Sequence, residues 1–308
     1  MLPAWKLLRR KTEMRQYTAS DFSGFYYAHR GLYDNHHGVP ENSLPAFRAA
    51  VEKGYGVELD VQLSADGQVV VFHDDTLDRI CGVHGKVIDY PLSDLQQMKL
   101  LDTEETLPLF TDVLAVLRQG AGPLIVELKT GPRNTELCEK TRELLRGYPG
   151  VFCIESFDPR IVLWFRKNAP EIFRGQLSQP REDYGTSLPA LYSRLLADCR
   201  FSFLNRPDFI AYKIGTRPAR VLRKRGKGVL LVGWTSHDAV TDSKDNDSVI
   251  FEYCAPPLRY EKAYSRQARN FLLPGLFFCN FALFPLLSSS PMEYHHIRET
   301  DYCILPSA

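Results

Sequence analysis

The first half of the chain places charged and histidine side chains at the ends of apolar runs: His29, Arg30, Glu58, Asp60, His73, Glu127 and Lys129. Three carboxylates brought together repel one another, and an unpaired buried charge destabilises a protein by several kcal/mol. Glu58, Asp60 and Glu127 therefore imply a bound cation. Oxygen ligands without cysteine suit Mg²⁺, Ca²⁺ or Mn²⁺ rather than zinc.

The histidines and the two basic residues indicate what such a cation would act on. Imidazole has an ordinary pKa of about 6.5, so His29 and His73 can accept or donate a proton near neutrality. Arg30 and Lys129 supply fixed cationic donors for an anionic substrate that carries phosphate. Together these residue types predict metal-assisted cleavage of a phosphodiester.

Eight apolar runs would have to position these residues, and helix-like segments separate them. The runs are FYYAH (25–29), GVELDV (56–61), LIVELK (124–129), VFCIES (151–156), FRGQLS (173–178), FIAYKI (209–214), VLLVGW (229–234) and VIFEY (249–253). Strands that alternate with helices predict a parallel α/β sheet, and eight units fit a closed (β/α)₈ barrel with its active site at the carboxyl ends of the strands. A doubly wound sheet is the alternative, but no glycine-rich dinucleotide motif follows the first strand.

A ninth apolar run, VVVF at 69–72, predicts an extended β-hairpin after the second barrel strand. An Asp-Gly pair between two apolar runs is typical of a two-residue turn, here Asp66 and Gly67. That turn would set Asp60 opposite His73, and opposed residues share one face of a sheet. The same alternation puts Glu127 and Lys129 on one face of the next barrel strand, so we expect these side chains to meet at one rim.

The order of these motifs resembles that of the glycerophosphodiester phosphodiesterase family. The motifs are His29-Arg30-Gly31, Pro40-Glu41-Asn42-Ser43, Glu58-Leu59-Asp60, Asp66-Gly67, His73-Asp74, Glu127-Leu128-Lys129 and Gly233-Trp234-Thr235. The resemblance covers residues 25–257, with a small insertion at 74–110. It leaves an extension at 1–24 and, at 258–308, a helix and an apolar tail of unknown role.

The resemblance implies a TIM barrel that hydrolyses a small glycerophosphodiester to glycerol 3-phosphate and an alcohol, with one divalent cation, commonly Mg²⁺ or Ca²⁺. It implies that His29 and His73 are the general acid and base, in an order that the sequence leaves open. The nucleophile is water or the substrate's own glycerol hydroxyl. The remaining roles would be cation ligation by Glu58, Asp60 and Glu127, and phosphate binding by Arg30 and Lys129. Trp234 is either barrel core or a wall for the alcohol or glycerol moiety.

The net charge, the cysteine pattern and the apolar segments limit the partners and the location that the sequence predicts. The net charge of +1 over 308 residues gives no global attraction for nucleic acid, and the basic run 217–228 lacks the interleaved aromatic residues that stack on bases. The seven cysteines form no C-x-x-C pair, which favours a reducing, cytoplasmic location. The apolar run 271–287 is interrupted by Pro274 and Pro285, so we expect it to pack on the protein or to be poorly ordered. Peripheral contact with a membrane is the alternative.

Two other functions are compatible with the sequence. One is a membrane-associated phosphodiesterase that acts on lysophospholipids, with the apolar tail as its anchor. The other is a barrel that binds phosphodiesters without turnover. The oligomeric state is left open.

Overall fold

The computed structural model describes residues 16–185 and 188–259, where eight parallel strands close into a barrel. The barrel strands are β1 (Tyr26–His29), β2 (Gly56–Leu63), β4 (Leu124–Leu128), β5 (Phe152–Ser156), β6 (Phe173–Ser178), β7 (Phe209–Lys213), β8 (Leu230–Ser236) and β9 (Ser248–Phe251). Each strand pairs with the next, and β1 closes the ring by pairing with both β2 and β9. The predicted (β/α)₈ barrel and its eight strands are confirmed.

Helices connect the strands. They are α1 (Leu44–Lys53), α2 (Asp78–Cys81), α3 (Leu92–Leu95), α4 (Phe110–Leu117), α5 (Asn134–Arg146), α6 (Pro159–Asn168), α7 (Ala190–Ala197), α8 (Ser202–Asn205), α9 (Ala219–Arg225) and α10 (Ala239–Asp242). Ser43 caps α1, since its hydroxyl accepts a hydrogen bond from the Ala46 N–H. α10 is a single turn, which agrees with the short polar segment after Trp234.

The inward faces of the strands divide into an apolar layer and a polar layer. Tyr27, Ile125, Cys153, Val232 and Ile250 belong to an apolar cluster inside the barrel. Because side chains alternate along a strand, the residues two positions later also point inward, closer to the carboxyl ends. These residues are His29, Glu127, Glu155, Trp234 and Glu252. The interior of the barrel thus has an apolar layer and, nearer the carboxyl ends of the strands, a layer of mostly polar side chains.

The hairpin forms, but its predicted register is wrong by one residue. Strand β3 (Val69–Val71) pairs with β2 so that Val71 faces Val61, and the Phe72 N–H bonds to the carbonyl of Asp60 (3.0 Å). Phe72, not His73, is therefore opposite Asp60. The loop has three residues rather than two, because Gly67 takes a left-handed φ of 77° and its N–H bonds back to the Ser64 carbonyl. An Asp-Gly pair is compatible with either loop length.

The segment 74–110 packs on this hairpin rather than on the barrel. Its buried apolar side chains form a separate cluster with Val70 of β3 and with Phe72, which follows that strand: Leu77, Ile80, Val87, Leu95, Leu100 and Leu107. The Leu92 N–H also bonds to the Asp66 carboxylate (3.0 Å), which fixes the insertion to the hairpin loop. The insertion therefore borders the carboxyl end of β2.

The two ends of the chain fall largely outside the described residues. The apolar run 271–287 and most of the predicted 258–308 segment lie there, as does most of the 1–24 extension. The domain limits at 25 and 257 stay predictions. Within residues 16–185 and 188–259, no helix combines the length and the apolar character needed to cross a membrane.

Candidate active site

Three buried carboxylates converge at the carboxyl end of the barrel. Glu58 and Asp60 alternate on β2, and Asp60 lies in register with Glu127 on the neighbouring strand. One oxygen of each carboxylate lies within 4.8 Å of an oxygen of the other two. All three residues are at most 7% exposed. The trio is close enough for one cation to contact all three side chains.

The protonation of the trio reflects burial and mutual repulsion. Burial raises the pKa of Glu58 well above its ordinary value, and the charges of Asp60 and Glu127 raise it further. Burial also raises the pKa of Glu127. Burial acts in the same direction on Asp60, but Lys129, His73 and Arg30 outweigh it and hold that pKa well below its usual range. A cation among these oxygens would offset the repulsion and replace the protons.

Two basic side chains border the trio. The Lys129 ammonium lies 3.0 Å from Glu127 and 3.4 Å from Asp60, and the Arg30 Nε lies 3.6 Å from the Asp60 carboxylate. Burial opposes the charge of both residues, but the neighbouring carboxylates raise their pKa values above the ordinary ones. Both therefore stay cationic near neutral pH.

The loop from Arg30 to Ser43 is built to hold Arg30 in place. Arg30 has a φ of 54°, and its N–H bonds to the Glu58 carboxylate (3.2 Å). Gly31 is needed next to it, because a Cβ there would lie 2.8 Å from the backbone of Ala46 in α1. Glu41 accepts a hydrogen bond from Arg30 (2.6 Å). The Pro40-Glu41-Asn42-Ser43 motif thus caps helix α1 through Ser43 and also holds Arg30 through Glu41.

Asn42 is a contact of the trio that the sequence reading did not assign. Its side-chain N–H donates to the Asp60 carboxylate (2.9 Å). The Asn42 carbonyl oxygen is buried without a hydrogen bond from any described residue, and one Asp60 oxygen faces the Lys129 ammonium, 3.4 Å away, without a hydrogen bond. A carbonyl oxygen left without a donor is suited to a hard cation.

His29 is oriented by a glutamate at the end of the last barrel strand. Its Nδ1 donates to the Glu252 carboxylate (2.8 Å), which also accepts the Tyr33 hydroxyl (2.7 Å). The His29 Nε2 lies 3.9 Å from the Glu58 carboxylate and faces the trio. Burial lowers the pKa of His29, so the ring is neutral near pH 7. The sequence analysis did not single out Glu252. Its position two residues after Ile250, which points into the barrel, is the feature that could have identified it.

His73 approaches the trio from the hairpin side. Its Nδ1 donates to the Asp74 carboxylate (2.6 Å), and Arg79 bonds to the same carboxylate (2.7 Å). The charge of His73 lowers the pKa of both Asp60 and Glu127. The register error therefore does not remove His73 from the site, because it lies beyond the paired part of the hairpin.

Two further inward-facing residues complete the polar layer. The Trp234 ring packs edge-on against Phe157, with ring centroids 5.6 Å apart. Glu155 on β5 lies in register with Glu127 and is 1% exposed. Glu155 was not singled out from the sequence, because nothing in VFCIES distinguishes an inward glutamate from an outward one.

The comparisons with known proteins agree with this geometry. A model of the glycerophosphoryl diester phosphodiesterase family matches residues 29–253. A Bacillus subtilis protein named as a candidate glycerophosphodiester phosphodiesterase is 33% identical over 239 residues, covering 73% of this chain and 93% of that protein.

Solved structures share the barrel. The structure of an Oleispira antarctica phosphodiesterase in complex with sn-glycerol-3-phosphate has a TM-score of 0.62 at 23% identity, covering 76% of this chain and 95% of that chain. A Thermotoga maritima glycerophosphodiester phosphodiesterase has a TM-score of 0.55 at 24% identity, covering 74% of this chain and 94% of that chain. These likenesses show the fold, and the family match extends over most of the chain. The chain belongs to the glycerophosphoryl diester phosphodiesterase family and is a barrel hydrolase of glycerophosphodiesters.

Proposed function

We propose that this enzyme uses one divalent cation, held by Glu58, Asp60 and Glu127, to hydrolyse glycerophosphodiesters to glycerol 3-phosphate and an alcohol. The observation that carries the proposal is the buried trio, whose oxygens lie within 4.8 Å of one another. When bound, the cation would supply positive charge to the phosphate oxygens and to the attacking and leaving oxygens. Recovery of activity with Mg²⁺, Ca²⁺ or Mn²⁺ after EDTA treatment would identify the cation.

Arg30 and Lys129 hold the phosphate. Each is a fixed cation at the edge of the trio, 3.6 Å and 3.4 Å respectively from the Asp60 carboxylate. An arginine can offer two parallel N–H groups to phosphate oxygens, whereas a lysine acts as a point charge. Both orient the phosphorus between the two histidines.

His29 acts as the general base and His73 as the general acid. Ionised Glu252 can only accept a hydrogen bond, so the neutral His29 ring carries its proton on Nδ1 and leaves Nε2 free to accept one. His29 takes the proton of the nucleophile, which is water or the substrate's glycerol hydroxyl, as the oxygen–phosphorus bond forms. Attack by the hydroxyl gives a cyclic glycerol phosphate, which water then opens to glycerol 3-phosphate in a second step. His73, oriented through Nδ1 by Asp74, donates its Nε2 proton to the departing alkoxide.

A cavity at the same end of the barrel makes lysophospholipids a second substrate class to test. It has a volume of about 330 Å³, and its apolar lining includes Phe157, Tyr184, Leu188, Tyr192 and Leu196. Phe157 also contacts Trp234. A long-chain alcohol moiety could occupy this cavity, whereas a choline head group would leave most of its apolar lining unfilled.

The test is release of glycerol 3-phosphate from glycerophosphocholine after treatment with EDTA and after addition of Mg²⁺, Ca²⁺ or Mn²⁺. We expect no turnover in EDTA and recovery with at least one cation. His29→Ala and His73→Ala should each lose roughly 10²- to 10⁴-fold in kcat. Full activity in EDTA would remove the cation from the proposal, and a wild-type protein that binds substrate without turnover would identify a binding-only barrel. Lysophosphatidylcholine is assayed in parallel, with and without residues 271–308.

A further inference from the structure

Glu155 is a fourth buried carboxyl on the inner wall of the barrel. Its Cα partner on the neighbouring strand is Glu127, and Cys153, two residues earlier, belongs to the inner apolar cluster. Glu155 therefore points into the same layer as Asp60 and Glu127. It is 1% exposed, and its Oε2 receives no hydrogen bond from any residue in 16–185 or 188–259.

A carboxyl oxygen buried at this depth needs a partner that the described residues do not supply. Leaving a buried acceptor without a donor destabilises the folded protein by roughly 1–3 kcal/mol, and more when the group is charged. The two cationic groups that border the trio, Lys129 and Arg30, already contact Glu127 and Asp60. The ionised site would carry four negative charges, from Glu58, Asp60, Glu127 and Glu155, against the two positive charges of these basic residues. The excess of two negative charges equals the charge of one divalent cation.

We propose that Glu155 is an outer carboxylate of the cation site, which contacts the bound ion through a bridging water. The outer position follows from geometry, because Glu155 is not one of the three residues whose oxygens approach within 4.8 Å of one another. The inference rests on the proposed cation at Glu58, Asp60 and Glu127. It adds that the β5 wall contributes to holding the ion, so this site has four acidic side chains.

The test is calorimetric titration of chelator-treated protein with Ca²⁺ and with Mg²⁺. Glu155→Gln keeps the shape of the side chain and removes its charge. We expect the Kd for the cation that the wild type binds to rise roughly 10- to 100-fold, the range typical of residues that support metal ligands. Glu139→Gln is the matched control, because it removes one negative charge from an exposed position on α5, and it should leave Kd unchanged.

Thermal unfolding supplies a second readout that does not depend on turnover. If Glu155 faces the ion, Glu155→Gln should reduce the rise in Tm that the cation produces, and it should keep or increase the Tm of the metal-free protein. Equal Kd values and an equal rise in Tm for wild type and Glu155→Gln would overturn the inference and leave the cation site intact. A wild type that binds neither ion would overturn the proposed cation and the role of Glu155 together.

Discussion

At the scale of single residues, the position of His29 depends on Glu252. The carboxylate binds the His29 Nδ1 and the Tyr33 hydroxyl, and these contacts lower the pKa of Glu252 to about 2 although burial opposes them. A residue that stays ionised across the working pH range can fix the tautomer of its imidazole partner. Glu252 is thus a positioning residue, since it acts through His29.

Replacing that carboxylate tests the role. In Glu252→Gln the amide keeps one acceptor but loses the charge, so the His29 ring can turn over or take the other tautomer. We expect kcat to fall roughly 10²-fold, at the lower end of what acid–base catalysis contributes, with little change in KM. Tyr33→Phe, which removes the other hydrogen bond to the same carboxylate, should have a smaller effect. An unchanged kcat in Glu252→Gln would exclude the positioning role.

The pH profile tests His29 as the base. Burial lowers the pKa of His29, so the ring loses its proton below the ordinary value of about 6.5. Because a base must be neutral, kcat/KM should rise with pH through that lowered pKa and reach its plateau before neutrality. Glu252→Gln removes a charge that raises this pKa and should move the rise to still lower pH. A rise in kcat/KM centred above pH 7, roughly half a pH unit above the ordinary pKa of histidine, would contradict the assignment of His29 as the base.

At the scale of elements, helix α2 connects the insertion to both sides of the site. Arg79 donates to the carboxylate of Glu41, which holds Arg30, and to that of Asp74, which holds His73. Burial raises the pKa of Glu41, but Arg79, Arg30 and Asn35 outweigh it and lower that pKa to about 2. One side chain therefore contacts both carboxylates that hold Arg30, the proposed phosphate-binding residue, and His73.

Arg79→Ala should reduce kcat/KM by roughly 10-fold or more, since misplaced catalytic groups lose much of their effect. The free energy of unfolding should fall by only about 1 kcal/mol, because the side chain is 48% exposed and solvent screens its ion pairs. Arg79→Lys should recover little, since an ammonium cannot form the paired contacts. Lys99→Ala breaks an exposed pair with Glu104 in the same insertion and is the control. Equal losses of activity in both alanine variants would show that the insertion matters only for stability.

The elements themselves were largely predictable from the sequence, and their exact register was not. Apolar runs that alternate with helix-like segments predicted all eight barrel strands, because buried strands require apolar side chains and these are visible in the sequence. The Asp66-Gly67 pair did not distinguish two loop lengths, so the register of β3 was wrong by one residue. Glu155 and Glu252 were missed because an inward orientation depends on pairing between strands that are distant in sequence.

At the scale of the whole molecule, the proposed cation site would couple cation binding to the stability of the fold. Burial raises the pKa of Glu58 well above that of the unfolded chain. The folded metal-free protein therefore holds a proton that the unfolded chain releases above about pH 4.3. Glu58 thus contributes stability that is present below that pH and is lost as pH rises toward the raised pKa. A cation that replaces the proton should remove this loss.

The difference in free energy of unfolding between cation-loaded and EDTA-treated protein should consequently grow as the pH rises from the unfolded pKa of about 4.3 toward the raised pKa of Glu58. At a free cation concentration near 100 times Kd, binding should add about 2.7 kcal/mol. Glu58→Gln should flatten the pH dependence, because it removes the proton that the ion displaces, and should weaken cation binding as well. Glu139→Gln should behave as wild type. Chemical denaturation at each pH, with and without the ion, measures the free energy of unfolding of the wild type, Glu58→Gln and Glu139→Gln. A difference that is constant with pH would mean that the ion does not compete with protons at Glu58, and it would place the ion elsewhere.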